Sequence, residues 1–82
     1  SRLRQDIELS YKIGWIDNQG IKQSLIAKVD ALEKSLDKGQ KNTAKNQLQA
    51  FLNEVKAQEG RHIAPGCAQI LYQDAQYILD QL

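Results

Sequence analysis

Two apolar stripes in succession, each with the period of a helix and each closed by a glycine, leave this chain few folds to choose from. Ile21, Leu25, Val29, Leu32 and Leu36 recur at intervals of four, four, three and four residues, while Lys22, Lys28, Glu33, Lys34 and Asp37 take the other faces. After Lys38-Gly39-Gln40 a second stripe follows in Ala44, Leu48, Phe51, Leu52 and Val55, with Glu54, Lys56 and Glu59 outside it, and Gly60 stops it. Glycine reaches the left-handed backbone that closes a helix without a Cβ penalty, so Gly39 and Gly60 both read as terminators. Two helices of similar length joined by a short link pack antiparallel. Such a hairpin is apolar on one side, and the rest of the chain must cover it.

The flanks supply the cover. Leu3, Ile7 and Tyr11 predict a first helix ending before Gly14, with Leu9 and Ile13 offset from its stripe. Gly14-Trp15-Ile16-Asp17-Asn18-Gln19-Gly20 then breaks the period with glycines and capping residues and forms a corner. With Asp17 as the cap, Ile16 and Ile21 take the two positions of a hydrophobic staple. Ile63-Ala64-Pro65 restarts the chain, because proline suits a first helical position, and Cys67, Ile70, Leu71, Ala75, Ile78 and Leu82 form the last stripe. The expected fold is all-α, a single-domain four-helix bundle built on a central antiparallel hairpin, with helices over 2–13, 18–38, 42–59 and 65–81. A chain of 82 residues makes one domain.

Composition narrows the function. Eleven Lys and Arg against ten Asp and Glu leave a formal charge of +1, which gives no general electrostatic grip on nucleic acid or anionic lipid. No apolar run approaches the roughly 20 residues that cross a bilayer, and no signal-peptide core follows Ser1-Arg2-Leu3-Arg4. A short chain opening on a bare serine reads as a domain excised from a longer protein. Cys67 is the only cysteine, so neither an internal disulfide nor a cysteine zinc cluster can form.

Groups able to do chemistry are few and scattered. His62 is the only histidine and lacks a second ligand at helical spacing, so it reads as a loop residue near a helix end, satisfying free carbonyls. Cys67 shares its stripe with Ile70 and Leu71 and reads as a small buried group. Ser10, Ser24 and Ser35 have no nucleophile elbow, and Asp17-Asn18-Gln19-Gly20 lacks the alternating oxygen ligands and closing Glu of a calcium loop. No catalytic, cofactor or metal site is assigned. Two surfaces stand out instead. Lys34, Lys38, Lys41 and Lys45 gather at the tip of the hairpin as an anion contact, with no recognition helix for specific nucleic-acid binding. The last helix carries only Asp74 and Asp80 as charges, and Gln69, Tyr72, Gln73 and Gln76 give it the low-charge, tyrosine-bearing character of protein contacts. That surface also allows a weak homodimer. Trp15 reads as a plug for the corner in preference to a sugar platform.

The ordered run Gly14, Ile16, Asn18, Gly20, Ile21, Ser24 and Leu25, followed by Lys28-Val29, resembles the FIMAH domain. So does Asn46-Gln47-Leu48, Ala50-Phe51-Leu52, Val55, Ala57-Gln58 and Gly60, ahead of Ile63. The resemblance runs from about Leu3 to the end, and Ala64, where a polar cap is expected before Pro65, is one departure from it. It implies a small helical module near the C-terminus of secreted or envelope-associated bacterial and archaeal proteins, with no catalytic role and therefore no active site to carry over. The implied function is a non-catalytic accessory module of an extracellular or cell-envelope protein, acting on a protein partner or a surface. The alternative is an end-cap that stabilises or positions a neighbouring domain of the same chain.

Overall fold

The computed structural model describes residues 1–82 and contains four helices, α1 (Arg2–Lys12), α2 (Gln19–Asp37), α3 (Lys41–Gln58) and α4 (Pro65–Gln81). They pack in a ring: α1 on α2, α2 on α3, α3 on α4 and α4 back on α1, with the diagonal pairs apart. The α2–α3 hairpin is the most extensive contact, so the all-α bundle is built on the element that the two stripes predict.

The core holds 15 buried apolar side chains. Leu3 and Ile7 come from α1; Leu25, Val29 and Leu32 from α2; Ala44, Leu48, Phe51 and Val55 from α3; Cys67, Ala68, Leu71 and Ala75 from α4. Ile16 and Ile63 come from loops. The stripe of α2 departs from its reading at the end, where Leu36 is turned outward and Ser35 takes the inward place; Ser10 does the same at the end of α1. Both serines lie in the same kind of cap. Gly14 and Gly39 adopt φ of +89° and +71°, and the next residue folds back, Trp15 N–H donating to the Ser10 carbonyl (2.8 Å) and Gln40 N–H to the Ser35 carbonyl (2.9 Å). These are Schellman closures. The chain passes back over the last turn at this point, and a small side chain leaves it room.

Gly60 does not repeat the device. α3 ends at Gln58, Glu59 is already extended, and Gly60 follows in a turn where the Gln58 carbonyl accepts from Arg61, His62 and Ile63. This turn reverses the chain so that Ile63 lies opposite Ile16 in a short antiparallel bridge. Asp17 N–H donates to the His62 carbonyl (3.0 Å) and Ala64 N–H to the Trp15 carbonyl (2.8 Å) on either side of the pair. The cap of α2 is Asn18, whose Oδ1 accepts from Ile21 N–H at 3.0 Å, not Asp17. With the cap one residue later, Ile16 and Ile21 fall out of staple register, and Ile16 buries itself beside Ile63 instead. α4 begins at Pro65, with Ala64 extended before it and no side-chain cap.

Candidate interaction surfaces

α1 holds its two neighbours by different means. Toward α2 the Arg4 guanidinium reaches both Asp30 and Glu33, at 2.6 Å from the latter. These bonds raise the Arg4 pKa, and hydrogen bonding from Arg4 first of all holds Glu33 below the usual carboxylate range. Toward α4 the contact is a groove of about 800 Å³, walled by Leu3 and Asp6 on one side and Ile70, Gln73, Asp74 and Tyr77 on the other. Asp74 faces Asp6 there. Its Oδ2 is enclosed and receives no hydrogen bond; desolvation, then the neighbouring carboxyl of Asp6, push its pKa up to about 7 against the opposing charge of Arg2.

The four α4 residues singled out in the sequence do not stay together. Gln69, Gln73 and Gln76 are exposed on one outward face, as positions four and three apart must be. Tyr72 turns away toward α3, half-buried against the core, and its hydroxyl donates to Glu59 Oε1 at 2.6 Å. Burial, with Glu59 adding to it, pushes the phenol up to about 12. The exposed tyrosine is Tyr77, at 69 %. Ile70, placed by its spacing in the final stripe, is likewise partly exposed, and both line the groove against α1. Leu9 and Ile13, which stand off the α1 stripe in the sequence, are both more than half exposed, and Leu9 lies in a cleft with Lys22 of α2.

Lys34, Lys38, Lys41 and Lys45 are all exposed at the end of the bundle away from the corner. None of them belongs to an ion pair. Lys34 lies in the last turn of α2, where the dipole favours a cation. Lys41 opens α3, whose first turn has no acidic residue and whose cap, Gln40, makes no side-chain bond. Helix dipoles therefore account for one side of this tip and oppose the other.

At the corner, His62 Nδ1 meets Asp17 Oδ1 at 2.9 Å, and the two residues are also joined through their backbones. The partner of His62 is thus a carboxylate and not the carbonyls of a helix end. Trp15 does not plug the corner. It remains 44 % exposed, because Ile16 and Ile63 fill the interior at this place, and it shares a cleft of about 220 Å³ with Asp17, Arg61 and His62. Cys67 is buried, and desolvation pushes its thiol up. No three His, Cys, Asp or Glu side chains come together as a metal-holding group, and no helix is long and apolar enough to cross a membrane.

A ring of four helices with a sealed core and its polar groups spread over the outside defines a small all-helical module. The chain belongs to the FIMAH domain family, whose model matches residues 1–80. Membership makes it an accessory module of a larger protein, in a family not known for catalysis. No curated protein and no solved structure matches the chain.

Proposed function

We propose that this chain is a non-catalytic interaction module of a larger extracellular or cell-envelope protein, working by surface contact on the side formed by α1 and α4. The observation that carries this is where the bundle leaves large apolar side chains in solvent. Of Leu9, Ile13, Trp15, Leu36, Ile70 and Tyr77, three belong to α1 or α4, Ile13 caps the end of α1, and none belongs to α3. Gln69, Gln73 and Gln76 add uncharged amides beside them. Apolar and aromatic groups with little charge to desolvate make up the centre of protein contacts, whereas a solvated face is dominated by Lys and Glu. Family membership supports the accessory role and an envelope-associated setting. The lysine tip supplies a second contact, with anionic envelope material, whose strength falls as salt screens it.

Hydroxyl-radical footprinting of Leu9, Ile70 and Tyr77 tests the reading in three states: the module alone, the purified parent protein, and the parent on its envelope. The expected result is several-fold protection of these residues on the envelope only. Protection already complete in the purified parent assigns the face to a neighbouring domain and makes the module an end-cap. Equal reactivity in all three states removes the interaction.

A further inference from the structure

The α1–α4 groove sets two carboxyls against each other, and a proton on one of them turns their repulsion into a match. Ionised carboxylates accept hydrogen bonds and donate none, so two that face each other have nothing between them unless one is protonated. Asp74 offers an enclosed Oδ2 without a donor, and Asp6 is the carboxyl that faces it. From α1 the charged groups turned to this place are Asp6 and Arg2, and Ser1 before it also lines the groove, with its amino group 3.5 Å from Glu33; from α4 itself Ile70, Gln73, Tyr77 and Ile78 bring no charge, and α3 contributes no residue to the groove. Arg2 favours the ionised form but does not hydrogen-bond the enclosed oxygen.

We propose that the Asp6–Asp74 pair is a proton-operated latch: protonated, it closes α1 on α4, and ionised, it releases the first turns of α1 to hinge on α2. The hinge side has its own pairing, since Arg4 hydrogen-bonds Asp30 and Glu33 there and holds Glu33 below the usual carboxylate range. α1 touches only α2 and α4, so losing one seam leaves it attached by the other. This deepens the reading of the groove as a contact face by giving it a pH response, but it concerns the chain's own stability and stands whether or not a partner binds.

The sign follows from proton linkage. A carboxyl protonated in the folded chain and ordinary in the unfolded one stabilises fully below its unfolded pKa of about 4, and that contribution is lost as pH rises through the folded value. One linked proton changes the folding constant by up to about tenfold per pH unit. The test uses the full chain in a His62→Gln background, which removes the chain's one imidazole. Carboxyl-carbon NMR follows Asp74, urea unfolding gives the folding constant from pH 5 to 8, and amide exchange, corrected for base catalysis, follows α1. We expect Asp74 to titrate near neutrality, the folding constant to fall at least about tenfold between pH 5 and 8, and the first turns of α1, but not α2 or α3, to exchange faster at the higher pH. Asp74→Asn and Asp6→Asn should each flatten the pH dependence. Titration of Asp74 near pH 4, or an unchanged pH dependence in the Asn variants, overturns the latch. Should Asp74→Asn fail to fold, Asp6→Asn and the carboxyl titration of the chain with both aspartates decide the matter. Footprinting on the envelope tests the contact face by a different readout, so either proposal can fail alone.

Discussion

Ile16 and Ile63 sit in loops, yet each is as buried as any helix residue, at 0 % and 1 % exposure. The backbone bonds flanking them make a non-hydrogen-bonded antiparallel pair, the type in which opposed Cα atoms are closest, about 4.5 Å apart. Replacing either by alanine removes three carbon groups. At about 0.8 kcal/mol each, the transfer loss is about 2.4 kcal/mol, and the cavity left behind brings a buried Ile→Ala change into the range of about 2–5 kcal/mol. A domain of 82 residues has about 4–12 kcal/mol of stability, so one loop residue controls about a sixth or more of it. With a urea m-value of about 1 kcal/mol/M, Ile16→Ala should lower the midpoint by about 3 M. Because the residues are paired, the double variant should cost less than the sum of the singles by about 1 kcal/mol. Ile16→Val and Ile63→Val, at about 1 kcal/mol each, keep the cycle measurable if the alanine variants unfold. Single losses under about 1 kcal/mol that add without coupling would show that the corner is a surface loop and not a clasp closing the core.

Two glycines should respond in opposite ways. Gly60→Ala meets no neighbour within 4 Å but must hold φ +79°, so a loss of about 1–2 kcal/mol is expected; Gly66→Ala, with open space in the first turn of α4 and no left-handed backbone, should gain about 0.5 kcal/mol. Matched urea midpoints for the two variants would refute the backbone account. Cys67, fully buried with its thiol pushed up by desolvation, should react with an aromatic disulfide at least about a thousandfold more slowly than a free thiol. Its rate should rise with urea along the global unfolding curve, and fast labelling of the native chain would contradict the packing of α4.

The fold was legible because it depends on long, periodic signals. Leu25, Val29 and Leu32 in α2 and Leu48, Phe51 and Val55 in α3 announce the hairpin by spacing alone, and the glycine at 39 announces its turn. Legibility stopped where one residue of register decides the outcome. Asp17 and Asn18 are both good caps, and nothing local chooses between them; the choice is made by a contact 45 residues away, the clasp in which Asp17 meets His62. Trp15 was misread for the same reason. A tryptophan in a corner fills it unless something else does, and the something else is an isoleucine pair that only the closed bundle brings together. On α4 the period assigns Tyr72 and Tyr77 to opposite edges of one polar side, but which edge meets α3 and which is left open depends on how the helix rotates against Glu59.

The polar pairs between helices explain why the α1–α4 side is where a response to the surroundings belongs. Three seams are closed by complementary groups: α1–α2 by Arg4 with Asp30 and Glu33 and by Lys22 with Glu8, α2–α3 by Lys28 and Ser24 with Glu54, α3–α4 by Tyr72 with Glu59. Each gives a donor to an acceptor. The fourth seam sets a carboxyl against a carboxyl. Its match depends on a proton drawn from solvent, and the same seam carries the exposed Tyr77 and Ile70. Stability and surface character therefore vary together on this one side, while the α2–α3 hairpin that fixes the fold is insulated from both.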